Sequence, residues 1–247
     1  MSDIVALQLY TVRDETAKDF KLTVRRVAEI GYAGIEFAGY GDIASKEMAA
    51  LLAETGLRTV GSHVSLQALE ADFDREVNYC LDIGSPFLII PWIDQQWRTS
   101  EGFKRLAERL NEWGRRTQER SITLAYHNHD FEFQKEGNET LLDLLAAATD
   151  PALVKLELDS YWAAYAGFDP VALINKYPGR IPLIHLKDMT PERTFTEVGD
   201  GTLDISDYVE AGQANGVHAF IVENDQPSIP SLESARRSFE NMHRSLT

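Results

Sequence analysis

Cysteine is nearly absent from this chain of 247 residues, in which Cys80 is the single thiol. One cysteine cannot form an internal disulfide, and its helical-looking context favours a buried apolar role. Long apolar runs are also lacking, because none reaches the roughly 18 residues that a membrane-spanning helix needs. The strand-like segment Ile4–Leu9 lies next to the first residues, so we expect no signal peptide, no membrane partner and a cytoplasmic location.

Positive charge is scarce. The chain has 24 Lys and Arg against 39 Asp and Glu, for a net charge of -15. A protein that binds a nucleic-acid backbone needs clustered basic residues to displace counterions, so nucleic acid is excluded as a partner. The densest basic segment, residues 104–120, has glutamates interspersed, which is typical of a solvated helix face.

A glycine-rich dinucleotide-binding turn is missing after the first strand, where Gln8–Arg13 stands instead of Gly-x-Gly-x-x-Gly. Apolar strand-like segments instead alternate with amphipathic helical segments along the whole chain, and we count eight strand-then-helix units. Eight such units in about 250 residues predict parallel strands closed into a (β/α)₈ barrel. Without a linker or low-complexity segment, we expect a single domain over residues 1–247.

One segment, Leu124–Phe133, combines an apolar strand with a dense set of polar side chains. His127, His129 and Glu132 follow where the strand should run into a loop. Imidazoles and carboxylates are costly to bury unless they bind a partner such as a divalent metal or a polar substrate. The segment therefore predicts a functional site at this end of the barrel.

Polar residues also end the next three strands. Alternation along 155–159 directs the leucines toward the helices and leaves Asp159 inside the barrel. The same pattern places His185 inside, and Glu223 closes the last strand. Two carboxylates and an imidazole suit Mn²⁺, Mg²⁺, Co²⁺ or Zn²⁺. The alternative is that these residues form buried ion pairs that stabilise the open end of the barrel.

Four other residues near the predicted strand ends are candidates for substrate contacts. His63 either binds substrate or is a hydrogen-bonded residue of the barrel mouth. Lys187 either binds a substrate hydroxyl or phosphate or pairs with a nearby carboxylate. Trp92 and Trp162 form either an apolar wall against a sugar ring or a packed aromatic cluster.

Several motifs together resemble the xylose-isomerase-like TIM-barrel superfamily, and within it the sugar phosphate isomerase/epimerase group. They are Gly31–Phe37, Tyr126–Glu132, Leu158–Trp162, Ile184–Asp188, Val198–Gly201 and Val222–Glu223. The resemblance covers nearly the whole chain in the family's order. It implies a carbohydrate substrate, one divalent metal ion with Mn²⁺ the first choice, and a homo-oligomer as a frequent state.

The resemblance also implies a metal held by Glu, Asp, His and Glu from four successive strands. Matched by motif, Asp159, His185 and Glu223 are the second, third and fourth ligands. The first ligand does not carry over, because the position where many members end the fifth strand with glutamate holds Tyr126 or His127 here, depending on the alignment. We expect Glu132 to swing in as the missing ligand, with His127 as the second choice.

For function, the resemblance implies a metal-dependent isomerase or epimerase that removes a proton next to the carbonyl of a sugar or sugar phosphate. Glu223 and a fifth-strand histidine, His127 or His129, are the acid/base candidates. A dehydratase or lyase of a keto-sugar or keto-inositol is the second hypothesis, and a non-catalytic carbohydrate-binding barrel the third. The loop 198–202 offers backbone N–H groups to an anion, but its own Asp200 opposes a phosphate there.

Overall fold

Eight parallel strands form the centre of the molecule in the computed structural model, which describes residues 4–245. The ends of the predicted domain, residues 1–3 and 246–247, lie outside the described residues. The strands are β1 (Ile4–Gln8), β2 (Gly34–Ala38), β3 (Arg58–His63), β4 (Phe87–Ile90), β5 (Thr123–His127), β6 (Val154–Asp159), β7 (Leu183–Leu186) and β8 (Ala219–Val222).

The strands pair in sequence order, and β1 closes the barrel by pairing with both β2 and β8. The pairing of β1 with β8 sets Ile4 opposite Ala219 and Leu7 opposite Val222. Every neighbouring pair in the barrel is parallel, as expected for strands joined by helical crossovers. The predicted (β/α)₈ barrel is confirmed.

Each strand is followed by a helix that covers the outside of the barrel. The helices are α1 (Phe20–Ile30), α2 (Ser45–Thr55), α3 (Leu66–Asp82), α4 (Ser100–Gln118), α5 (Leu141–Ala148), α6 (Pro170–Lys176), α7 (Ile205–Ala214) and α8 (Ser231–Ser245). Among residues 4–245, no helix is both long and apolar enough to span a membrane.

Alternation along the strands separates an apolar lower layer of the barrel interior from a polar upper layer. Ala6, Ala125, Leu183 and Ile221 belong to a small buried cluster inside the barrel, together with residues of β3 and β4. Two residues further along each strand come the polar side chains Gln8, His127, His185 and Glu223. The carboxyl ends of the strands thus present polar groups above the apolar layer of the barrel interior.

Short elements that the sequence did not predict also occur, among them one helix and two hairpins. A helix at Ser160–Tyr165 follows β6 directly, and small antiparallel hairpins form at residues 135–140 and 188–196. The second hairpin lies within the long loop after β7. Loops at this face surround the polar layer and shape the cavity above it.

Candidate active site

A cavity of about 810 Å³ opens at the carboxyl ends of the strands. His63, His127, Lys187 and Glu223 line it from the strand ends, and Trp92 lines it from the loop after β4. This is the face at which enzymes of this architecture place their chemistry. The predicted strand-end residues therefore share one cavity.

Asp159, His185 and Glu223 converge as the sequence predicts. Single donor atoms from the three residues all lie within 4.8 Å of one another, and all three residues are buried. His185 Nδ1 lies 2.8 Å from Glu223 Oε2. The three side chains come from consecutive strand ends, so the barrel itself fixes their separation.

His127 lies beside this group at the end of β5, and its donor atom groups with those of His63, Glu157 and His185. Its Nε2 lies 3.6 Å from Asp159 Oδ2, and its Nδ1 is hydrogen bonded to Glu157 Oε2 at 2.9 Å. A carboxylate on one ring nitrogen fixes the imidazole and leaves the other nitrogen free to bind a metal. Burial and the nearby His185 lower the pKa of His127 well below its usual value, so it stays neutral.

Glu132, the ligand we expected first, lies apart from this group. Its Oε1 accepts a hydrogen bond from the Tyr126 hydroxyl at 2.7 Å, and its Oε2 accepts one from the His129 backbone N–H at 2.8 Å. Both oxygens thus tie the loop after β5 back to the strand. The structure brings His127, and not Glu132, to the centre.

Two further carboxylates occupy the floor of the site, and the sequence reasoning gave them no central role. Glu157 Oε2 lies 2.8 Å from His63 Nε2 and 3.3 Å from His185 Nε2. Glu36 Oε2 lies 2.7 Å from His185 Nε2. Alternation along 155–159 puts Glu157 on the same inward face as Asp159, which was the available signal, and Glu36 lies in the middle of β2.

Lys187 introduces a buried positive charge between the carboxylates. Its Nζ lies 3.0 Å from Asp159 Oδ2, 2.9 Å from Glu223 Oε2 and 2.9 Å from Asp225 Oδ1. Burial opposes the charge, but the three carboxylates raise the pKa of Lys187 well above its usual value. Burial likewise favours neutral Glu223, yet Lys187 and His185 hold the pKa of Glu223 well below its usual range.

His129 and two tryptophans form one wall of the cavity. Trp92 packs edge-on against His129 with ring centroids 4.7 Å apart, and Trp162 lies 5.7 Å from the same ring. Within residues 4–245, His129 Nδ1 and Trp162 Nε1 are buried without a hydrogen-bond partner. Burial lowers the pKa of His129 to about 3, and Lys187 adds to the effect. This wall offers a neutral imidazole and an indole N–H to a bound molecule.

His63 lies on the other side of the floor. Its Nε2 is 2.8 Å from Glu157 and 3.1 Å from Glu36. Burial opposes protonation, but the two carboxylates raise the pKa of His63 to about 9. His63 is therefore a cationic partner of Glu36 and Glu157 that also faces the cavity.

The donor set fits a divalent cation. Asp159 Oδ2 is buried and contacts Lys187 Nζ at 3.0 Å, and each imidazole of the group is oriented through its other nitrogen by Glu157 or Glu36. Five carboxyl groups surround the centre and outnumber its cationic side chains, Lys187, His63 and His185. They are Glu36, Glu157, Asp159, Glu223 and Asp225. Such a negative excess, with mixed nitrogen and oxygen donors, suits a divalent transition metal.

The loop 198–202 does not present a free anion site. The backbone N–H groups of Gly199 and Gly201 both donate to Asp188 Oδ2, at 2.9 and 3.0 Å. The Leu203 N–H donates to Asp188 Oδ1 at 3.1 Å. The chain's own carboxylate therefore uses the donors that a phosphate would need.

Known proteins resemble this chain in sequence and in fold. Inosose dehydratase from Clostridium beijerinckii is 31% identical over 145 residues, which are 51% of this chain and 48% of that protein. A crystal structure of a sugar phosphate isomerase/epimerase from Parabacteroides distasonis superposes with a TM-score of 0.83 at 25% identity, covering 96% of this chain and 93% of the other. The zinc-bound IOLI protein shares the fold, with a TM-score of 0.78 at 14% identity and 98% of both chains covered.

The chain spans about half the length of the curated relatives it matches. The family model described as xylose isomerase-like TIM barrel covers far more of it, from residue 24 to residue 244. That match includes every strand from β3 to β8 and all the residues of the centre. The chain therefore belongs to the xylose isomerase-like TIM barrel family.

Proposed function

We propose that this protein is a divalent-metal-dependent enzyme that removes a proton next to the carbonyl of a neutral sugar or sugar-derived ketone. Isomerisation or epimerisation is the first reaction we propose. The observation that carries the proposal is the convergence of Asp159, His185 and Glu223, with His127 Nε2 3.6 Å from Asp159, beside a cavity that also contains an unpaired, neutral His129. Members of the family include enzymes that act on sugars in this way.

His127 Nε2, Asp159, His185 Nδ1 and Glu223 would hold the ion, with Mn²⁺ as the first choice. When bound, the ion supplies positive charge that polarises the substrate carbonyl and makes the neighbouring C–H more acidic. Glu157 and Glu36 keep the two imidazoles oriented through their other nitrogens. These orienting carboxylates make the donor set rigid before a ligand arrives.

Proton transfer is assigned to Glu223 and His129. Glu223 is ionised, and its Oε2 is engaged by His185 and Lys187, so Oε1 is the atom left to receive a proton. His129 Nδ1 has no partner within residues 4–245 and is available to a substrate hydroxyl. Two acid/base groups on different strand ends are what a shift of a proton between adjacent carbons requires.

Lys187 and Trp162 bind and position the substrate in this proposal. The ammonium stays charged and can donate to a substrate oxygen, while the unpaired indole N–H can donate to a hydroxyl. A neutral substrate is favoured over a phosphorylated one, because Asp188 already uses the N–H groups of the loop at 198–202. The net charge of -15 also opposes an anionic ligand.

Elimination from a keto-inositol or keto-sugar is the second candidate. It is supported by the inosose dehydratases, which are about 31% identical to this chain over half its length. The first proton removal is common to both reactions, and they differ in whether the enolate is reprotonated or expels a β-substituent.

Incubation of the Mn²⁺-loaded protein with ketoses, 3-keto-glycosides and keto-inositols in D₂O, followed by proton NMR, tests the proposal. Deuterium in an isomerised or epimerised product supports the first reaction, and loss of water or of an aglycone supports the second. Glu223→Gln should abolish turnover. His218→Gln is the matched control, because His218 is exposed at the opposite mouth of the barrel.

Absence of exchange with every substrate in the panel would contradict the proposal. Sugar binding that survives in Glu223→Gln without any turnover by the wild-type protein would indicate a carbohydrate-binding barrel instead.

A further inference from the structure

Glu76 is a buried carboxylate that the proposed chemistry does not use. It lies on α3 with Phe73, Val77 and Cys80, on the face that packs against the barrel, and only 6% of the residue is exposed. This position on an amphipathic helix is normally apolar. Burying a carboxylate there costs free energy unless the group is hydrogen bonded.

The helix is arranged to bring Glu76 to this position. The backbone of α3 leaves helical geometry at Asp72, whose Oδ1 accepts a hydrogen bond from the Arg75 N–H at 3.0 Å. Asp72 therefore acts as an N-cap for a second helical segment. Glu76 lies in the first turns of that segment and lines the cavity.

Among the described residues, only one of the two carboxylate oxygens of Glu76 accepts a hydrogen bond from the protein. Glu76 Oε1 accepts from Arg75 Nε at 3.0 Å, but the Arg75 side chain is 68% exposed. For the part of the chain that the structure describes, Glu76 Oε2 has no hydrogen bond. Because Arg75 already balances the charge, the open oxygen suits a neutral donor such as a hydroxyl better than a second cation.

Glu76 lines the same cavity as the metal-binding group, on the side of β2 and β3. Tyr40 lines this side from the loop after β2, Ser65 and Ala68 line it from the start of α3, and His63 lines it from the end of β3. Tyr40 is held by stacking on Tyr79 with ring centroids 3.7 Å apart. At about 810 Å³ the cavity is near the upper end of the roughly 300–1,000 Å³ typical of small-molecule sites, which is more than one sugar ring fills.

We propose that this side of the cavity is a second subsite, in which Glu76 accepts hydrogen bonds from the hydroxyls of a second sugar unit joined to the ring that reacts. The inference rests on the proposed function for the identity of the first ring. Glu76 is then a specificity-determining residue, and the substrate class is a glycoside with a polyhydroxylated second unit.

Calorimetric titration with unreactive probes tests the subsite apart from the chemistry. Methyl α-glucoside supplies one ring, while maltose, cellobiose and trehalose supply two, and none of them has the ketone needed for reaction. We expect the wild-type, Mn²⁺-loaded protein to bind at least one disaccharide about tenfold or more tighter than methyl α-glucoside, since a hydrogen bond to a charged group is worth roughly that factor.

Glu76→Gln should remove most of this preference and leave the affinity for methyl α-glucoside unchanged. Arg75→Gln and Glu70→Gln are the controls, because both positions are exposed on the same helix. Equal binding of one-ring and two-ring probes by the wild-type protein overturns the proposal. So does an equal loss in Arg75→Gln, which would mean that Glu76 only anchors Arg75.

The two proposals fail in different experiments. If the subsite proposal is wrong, the one-ring and two-ring probes bind with equal affinity while deuterium exchange into the substrate still occurs. If the proposed function is wrong, no deuterium exchange occurs, whichever probes bind.

Discussion

His127 and Glu132 were the two candidates for the first metal ligand, and the structure places their side chains differently. Alternation from Leu124 predicts that His127 faces inward, and it does. Glu132 follows the strand in a loop, where alternation no longer applies, so its direction could not be read from the sequence. The loop turns it back onto Tyr126 and the His129 N–H.

Metal affinity should separate these two residues. We expect His127→Ala to weaken Mn²⁺ binding at least tenfold, because it removes a donor beside Asp159. Glu132→Gln should leave Mn²⁺ affinity within about twofold, because both Glu132 oxygens are hydrogen bonded to Tyr126 and the His129 N–H and the side chain belongs to neither group of candidate donors. Calorimetric titration of Mn²⁺ into each variant measures both, and the reverse order would restore Glu132 as the ligand.

Glu157 orients His127 without belonging to the Asp159 group. We expect Glu157→Gln to lower metal affinity roughly 10- to 100-fold, which is the usual effect of losing such an orienting carboxylate. The protein should remain folded by circular dichroism, because glutamine keeps the shape of the side chain. Unchanged affinity would show that His127 needs no orienting partner.

At the scale of elements, most boundaries follow from periodicity. The sequence pattern predicts helices over Ser45–Thr55 and Ser100–Gln118 and a strand over Val154–Asp159, and α2, α4 and β6 have these bounds. Each has a clear apolar period and a defined end, such as Gly56 in the left-handed conformation after α2. The two hairpins have strands of two residues, which is too short for any period to show. The loops that shape the cavity are therefore the part that sequence reasoning missed.

The pairing of β2 with β3 depends on Gly61. A Cβ there would lie 2.5 Å from Glu36 Oε1 and 2.6 Å from Ile89 Cδ1. We expect Gly61→Ala to destabilise the protein by about 1–3 kcal/mol through overpacking, and to weaken metal binding by displacing Glu36 from His185. Urea unfolding and metal titration measure the two effects, with Ser62→Ala on the outward face as the control. A stable variant with normal metal affinity would contradict this account.

At the scale of the whole molecule, the closed barrel was predictable because eight repeats of one simple pattern allow few other arrangements. Alternation along each strand was enough to predict whether its last side chains point into the barrel or toward the helices. The floor of the site was not predictable in full, because Glu36 and His63 from β2 and β3 meet Glu157 from β6 only when the barrel closes.

Metal binding should stabilise the whole barrel, because the ligands that we propose come from four consecutive strands. At a free metal concentration 100 times the dissociation constant, linkage gives about 2.7 kcal/mol. For a chain of this size we expect that removal of metal by EDTA lowers the melting temperature by about 5–10 °C. Differential scanning calorimetry of the metal-loaded and chelated protein checks this. His127→Ala should show a smaller difference, and an equal one would remove His127 from the ligand set.

Lys187 affects how the protein folds before it binds the metal ion that we propose. Its ammonium lies between Asp159 and Glu223, so the two carboxylates do not repel each other unscreened while metal is absent. A newly synthesised chain can therefore complete the barrel first and acquire its ion afterwards. Folding then does not depend on metal binding. At low metal concentration the protein would accumulate as folded, metal-free molecules rather than as unfolded ones.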